Sequence, residues 1–243
     1  MKKLAFPVRM IVLLQVLFLV ATNAVSVQAQ KNPAKGMVTT SVIKNRLYKL
    51  PAVSIAPRNG QSDCFAILMS GDGGWSKFDQ RVCENLAAKG IPVLGLNSLK
   101  YIWKAKTPEQ ITDDVRRMIA WGESGFGGRN VMLIGYSCGA NLIPFAYNRL
   151  EDSLKNKISH IVLLSPEDKA DFAFHWYNWA NKNSRKARLV RPELEILPDI
   201  PVLFIYGDKE KYDWCVDLLG DRFSLKILPG GHHYDRNELA VAN

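Results

Sequence analysis

The chain has 243 residues, 47% of them hydrophobic, and carries 32 Lys and Arg against 23 Asp and Glu for a net charge of +9. That size suits one domain with a sizeable core. The positive balance does not by itself make a nucleic-acid binder, because the same charge serves an anionic lipid surface or plain solubility. The four cysteines (Cys64, Cys83, Cys138, Cys215) show no CxxC or Cys/His spacing, which excludes a zinc module.

In chain order, residues 1–29 read as a secretory signal peptide. Lys2, Lys3 and Arg9 precede an apolar run from Met10 to Val20, and Val27-Gln28-Ala29 offers small residues at −3 and −1 of a cleavage site. Gln15 interrupts the run, which is shorter than the roughly 20 residues of a spanning helix. No cysteine sits at the cut, so a lipoprotein is not expected. Removing the leader leaves +6 of the charge and predicts a periplasmic or secreted protein that can form disulfides. Three full pairings of the cysteines stay open. Cys138, next to Ser137, is expected to be a free thiol.

Residues 30–45 are polar and irregular and read as a linker, and residues 46–243 as a single domain. "LYKLPAVSI" predicts an edge strand, restricted by Pro51. "CFAILMS" (64–70) is continuously apolar, as in a strand buried on both faces. A helix over 78–90 and a strand over 91–97 follow. Thr107 as N-cap and Pro108 in the first turn open a helix over 107–125. Then come a strand at 131–136, a helix at 138–150, strands at 160–166 and 201–207, a helix near 211–220 and a strand at 224–230. This alternation predicts an α/β fold, a mostly parallel sheet with helices on both faces. Only residues 167–198 break the rhythm, and they read as an insertion over the strand ends, helical in part and lid-like.

Gly135-Tyr136-Ser137-Cys138-Gly139 fits G-x-S-x-G where a strand turns into a helix. Two glycines let backbones approach, the strained turn lifts the serine hydroxyl, and the helix N-terminus behind it presents free N–H groups. Ser137 is therefore the candidate nucleophile. A neutral serine needs a base, and the chain order Ser, acid, His points past it. "LPGGHHYD" supplies His232, the favoured base, and His233 as the alternative. His160 and His175 read as structural. "GDKEKYD" supplies the acid, Glu210 ahead of Asp208 and Asp213, which would hold the imidazole tautomer. Oxyanion donors are expected from the amide of Cys138 and from Asp72 or Gly73 in the glycine-rich "MSGDGGW". That loop lacks the Lys-Ser/Thr of a phosphate cradle, with Trp75 in its place. Trp75, Tyr136 and Trp176 are the expected substrate contacts. No cofactor and no metal are expected.

"SGDGGW", "PVLGLNSLKYIWKAKTPEQITDD", "GYSCGANLIPFAYNRL", "LLSPEDKADFAFHWYNW" and "LPGGHHYDRN" together resemble the VirJ/AcvB family of bacterial virulence proteins. The resemblance spans about residues 64–237. It implies an α/β-hydrolase fold, a periplasmic location and association with type IV secretion proteins. It also implies hydrolysis of aminoacylated phosphatidylglycerol, notably the lysyl lipid, and supports Ser137, His232 and an acid within 208–213. AcvB-type chains carry a further N-terminal domain, whereas this one looks like the single-domain form. The reading is an exported serine esterase on an aminoacyl ester of an anionic lipid. The rival reading is a secretion-associated scaffold with a vestigial site, and neither involves nucleic acid. In the insertion, Phe172, Phe174, Trp176, Tyr177 and Trp179 are followed by a basic run of Lys182, Arg185, Lys186, Arg188 and Arg191. That mixture suits an anionic bilayer, or else rings that cover the domain's own core. Asp72, Glu167 and Asp171 are the acids expected to meet a lysyl ammonium.

Overall fold

The computed structural model describes residues 50–58, 60, 62–174 and 186–243. Residues 1–49, with the expected signal peptide and linker, and residues 175–185, with His175 and Trp176, lie outside them. The strands are β1 (Ala52–Ile55), β2 (Cys64–Met69), β3 (Val93–Leu96), β4 (Asn130–Tyr136), β5 (Ile158–Leu164), β6 (Lys169–Ala170), β7 (Arg188–Leu189), β8 (Val202–Gly207) and β9 (Phe223–Leu228). The helices are α1 (Lys77–Ala88), α2 (Ser98–Tyr101), α3 (Pro108–Phe126), α4 (Cys138–Asn148), α5 (Asp152–Lys155), α6 (Arg191–Glu195) and α7 (Glu238–Ala242).

Seven strands form one sheet in the order β1-β3-β2-β4-β5-β8-β9. Only β1 is antiparallel, pairing Ala52 with Leu96, at the edge where Pro51 placed it. The other neighbours are parallel, with Met69 opposite Gly135 and Tyr136 opposite Leu164. Side chains alternate between two apolar layers. Phe65, Ile67 and Met69 of β2 meet Ile111, Val115 and Met118 of α3 and Leu142 and Phe145 of α4. Ala66 and Leu68 face Phe78, Val82 and Leu86 of α1 and Val241 of α7. Each fully buried Leu, Ile or Phe contributes about 1.5–3 kcal/mol, so these two layers set the sheet's register.

The helix signals act as expected. The Thr107 hydroxyl accepts from the Gln110 amide, Pro108 opens α3, and Gly127 ends it at φ 72°. Two expectations differ. The helix near 211–220 is a 3₁₀ turn at Asp213–Leu218, short because Tyr212 and Cys215 must tuck against β8. The strand expected to reach 166 ends at Leu164, because Ser165 turns out of the sheet at φ 47°. The described part of the insertion is an antiparallel pair of two-residue strands, β6 with β7, and the short α6, while residues 175–185 of the expected lid-like segment lie outside the described residues.

The connections set the place of the site. From β2 the chain crosses outward to β3, then back across β2 to β4, and onward to β5, β8 and β9. The carboxyl ends of β2 and β4, Met69 and Tyr136, thus flank the switch point, where open parallel sheets leave a crevice for ligand.

Candidate active site

Ser137 stands at that crevice at φ 51° and ψ −117°, a conformation that costs a non-glycine residue about 1–3 kcal/mol. Backbone packing imposes it. A Cβ on Gly135 would lie 2.4 Å from Ala140 Cα, and one on Gly139 would lie 2.2 Å from the Met69 carbonyl oxygen. The Ser137 amide donates to the Leu164 carbonyl at 2.8 Å, and the Gly139 amide to Ser70 at 3.2 Å. The strand is thereby continued one residue too far before α4 begins. Ser137 is 9% exposed, and its hydroxyl makes no hydrogen bond to any described residue.

The amide of Cys138, first residue of α4, has no acceptor within the helix. Opposite it, the Gly74 amide donates to the Gly71 carbonyl at 3.1 Å. That turn leaves the amides of Asp72 and Gly73 outside its own hydrogen bond. A Cβ on Gly71 would sit 3.5 Å from Ser137 Cβ, so the turn lies directly against the nucleophile. The amides expected as oxyanion donors thus belong to a turn and a helix start that pack against Ser137. Among the described residues no cluster of His, Cys, Asp or Glu could hold a metal ion.

The histidine side arrives from β8 and β9. Glu210 Oε1 lies 2.8 Å from His232 Nδ1. Its Oε2 accepts from the Gly207 amide and the Ser165 hydroxyl, both at 2.7 Å. Burial alone would raise the Glu210 carboxyl. The bonds from His232, Gly207 and Ser165 outweigh burial and hold it below the ordinary carboxylate value. An ionised Glu210 can only accept, so Nδ1 of His232 carries the proton and Nε2 is left with its lone pair. No hydrogen bond joins His232 to the Ser137 hydroxyl. The two are linked through Tyr136, whose hydroxyl donates to the His232 carbonyl at 2.9 Å and meets His233 Nδ1 at 2.6 Å. The Tyr136 ring also lies 5.4 Å from the His232 ring. Catalytic bonds are often loose without substrate.

The alternatives take other tasks. Asp208 accepts the Gly230 amide at 2.9 Å and so pins the glycine turn that carries the histidines. That turn crowds against β8, since a Cβ on Gly207 would meet the Gly230 carbonyl at 2.4 Å. Asp213 is exposed at the start of the 3₁₀ turn and bonds neither imidazole. His233 is bound to Tyr136, not to an acid. Tyr136 has its hydroxyl engaged in that clamp instead of facing substrate. Trp75 is taken up by packing, because its indole lies on Gly95, where a Cβ would approach within 2.1 Å, and its N–H donates to Gln80 at 3.0 Å. Trp176 lies outside the described residues. Phe172 packs edge-on against Phe145, with ring centroids 5.0 Å apart, so this ring covers the core. All four cysteines are free thiols, Cys138 included.

Three residues were missed in the sequence. Ser165 and Tyr234, whose oxygens are 2.6 Å apart, brace Glu210, and Tyr234 also reaches the Ile205 carbonyl at 2.9 Å. Asn141 ties the root of the insertion to α4, donating to the Lys169 carbonyl and accepting from the Glu167 amide. Ser-Pro after an apolar run was the only local hint of Ser165. Asp72, Glu167 and Asp171, the acids expected to meet a lysyl ammonium, lie close enough to Cys138 to act on its thiol. Burial pushes the Cys138 thiol up, and the carboxylates of Asp72, Asp171 and Glu167 push it further the same way.

Among curated proteins no sequence matches this chain. Solved structures do. Est1E from Butyrivibrio proteoclasticus with ferulic acid bound is 16% identical, with 79% of this chain and 91% of that chain covered at a TM-score of 0.56. Esterase Pf2001 of Pyrococcus furiosus is also 16% identical, with 79% and 80% covered at 0.57. The lidless α/β serine hydrolase XC6422 of Xanthomonas campestris is 17% identical, with 79% and 84% covered at 0.51. These likenesses show the α/β-hydrolase fold. The model of the bacterial virulence protein VirJ matches residues 63–243, and the chain therefore belongs to the VirJ family.

Proposed function

We propose that this protein is a serine hydrolase of carboxylic esters, and that its substrate is an aminoacyl ester of an anionic phospholipid such as lysyl-phosphatidylglycerol, cleaved in the cell envelope outside the cytoplasm. The observation that carries the reading is the Glu210–His232 pair at 2.8 Å, set beside a serine in a strained strand-to-helix turn. His232 Nε2 takes the Ser137 proton as Oγ attacks the ester carbonyl carbon. The resulting oxyanion is met by the amides of Cys138 and of Asp72 or Gly73. The imidazolium, offset by Glu210, returns its proton to the leaving alcohol. Water, deprotonated by the same nitrogen, then releases the acyl group. The acids Asp72, Glu167 and Asp171 favour an acyl group carrying a cation, and the esterase neighbours fit an ester. The unclosed Ser137–His232 bond favours the second reading, a secretion-associated interaction protein on a vestigial site.

The test is to treat the protein and its Ser137→Ala form with a fluorophosphonate probe and with lysyl-phosphatidylglycerol. Labelling of the unsubstituted protein alone, with release of lysine, is expected. Equal inertness of both forms would leave the interaction protein.

A further inference from the structure

We propose that the platform formed by Trp103, Phe174 and the lysines of residues 98–106 docks this protein on an anionic lipid bilayer, with the mouth of the Ser137 site turned toward the membrane. The inference deepens the hydrolase reading and rests on it only for the purpose of the docking.

Trp103 is 65% exposed, whereas its neighbours Tyr101 and Ile102 are buried. It does not dangle. Its ring stacks on Phe174 at 5.3 Å and 16°. The Phe174 amide donates to the Ile102 carbonyl at 2.9 Å, and the Lys106 amide to the Phe172 carbonyl at 2.8 Å. From inside, the Tyr101 hydroxyl donates to Asp114 at 2.8 Å, and Phe172 is seated on Phe145. The chain thus spends interior contacts on holding an indole outward. An indole suits the headgroup level of a bilayer, where its apolar body and polar N–H are both satisfied.

Charge selects the occupant. Lys100 and Lys104 are exposed, and Lys106 lies 4.5 Å over the Tyr101 ring. Among the described residues none of the three is ion-paired, although Arg116, Arg149 and Arg191 are each seated on two carboxylates. Uncompensated ammonium groups around an outward indole fit a surface of anionic headgroups. Among the described residues no helix is long and apolar enough to cross a membrane.

The platform is also part of the site's rim. It leaves the sheet at the carboxyl end of β3, beside the Ser137 crevice. The Ser98 amide donates to the Ser70 hydroxyl at 3.0 Å. A Cβ on Gly74, in the oxyanion turn, would meet Asn97 Oδ1 at 3.2 Å and Leu99 Cβ at 3.3 Å. A cationic rim outside an acidic mouth matches a lipid that is anionic at its phosphate and cationic at its esterified amino acid.

The test is co-sedimentation of the purified protein with vesicles of phosphatidylcholine, with and without phosphatidylglycerol. Binding to the anionic vesicles, reversed by salt, is expected. Lys100→Gln with Lys104→Gln should weaken it about 25-fold, at about fivefold per lysine. Trp103→Ala should weaken it roughly tenfold through lost apolar burial. Thermal melts confirm that each variant is folded. Equal sedimentation with both vesicle types, or variants that bind as the parent does, overturns the inference. Capture of a protein partner through Trp103 in place of anionic vesicles also overturns it. Turnover of a soluble short-chain ester by the parent is measured in parallel. Ser137-dependent turnover without vesicle binding sinks the docking alone, and vesicle binding without turnover sinks the hydrolase reading alone.

Discussion

At the nucleophile, backbone meets backbone: Gly139 has no room for a Cβ beside the Met69 carbonyl, and Gly135 none beside Ala140. Across the crevice, Glu210 and His232 are instead held by hydrogen bonds from the Ser165 hydroxyl, the Gly207 amide and the Tyr136 hydroxyl. Steric exclusion between main-chain atoms tolerates no adjustment. A hydrogen-bonded carboxylate can lose one donor and keep the others. The two halves should therefore fail differently, one by losing the fold and the other by degrees.

The sharpest break is Gly139→Ala. Its methyl would overlap main-chain atoms of β2, at a cost of about 3 kcal/mol or more. The melting temperature should fall by roughly 10 °C, with activity lost. Gly73→Ala, where a Cβ meets nothing within 4 Å, should melt within about 1–2 °C of the parent. Similar melts for the two would remove the claim that backbone contact holds the elbow.

On the other side, Glu210→Gln should keep the fold and lower ester turnover on the order of 10⁴-fold. Asp208→Asn, which touches only the Gly230 turn, should cost far less. Comparable losses would return the acid's role to dispute. The pH dependence follows from the depressed carboxyl. Glu210 stabilises the folded state while ionised, above the ordinary value of 4.5, and that contribution is lost as pH falls through its lower folded value. The urea midpoints of the parent and Glu210→Gln should converge below about pH 4. A gap that widens there would contradict the sign.

The smallest effect sharpens the comparison. Ser165→Ala removes one donor from an ionised carboxylate, a bond worth about 1.5–3 kcal/mol. The melt should fall by about 5 °C, and turnover should fall far less than in Glu210→Gln. A loss as large as that of Glu210→Gln would show that Ser165, not the backbone amide of Gly207, keeps the acid in place.

Chain chemistry alone determined the parts that local rules govern. Apolar runs broken by glycine and capped helices predicted each parallel strand, and Gly135-x-Ser137-x-Gly139 at a strand end located the strained turn at Ser137, because close approach and positive φ leave few residues to choose from. Chain chemistry favoured Glu210 over Asp208 and Asp213 only by its distance from Gly207, since three acids in six residues look alike until β9 brings the Gly230 turn against Asp208 and His232 against Glu210. Ser165, Tyr234 and Asn141 were invisible for the same reason, their partners being distant in sequence. Aromatics in one segment likewise took different partners, Phe172 edge-on to Phe145 and Phe174 stacked under Trp103. Steric and helical-period constraints act between neighbours along the chain, whereas a hydrogen bond or a buried ring needs a partner that only the folded sheet supplies.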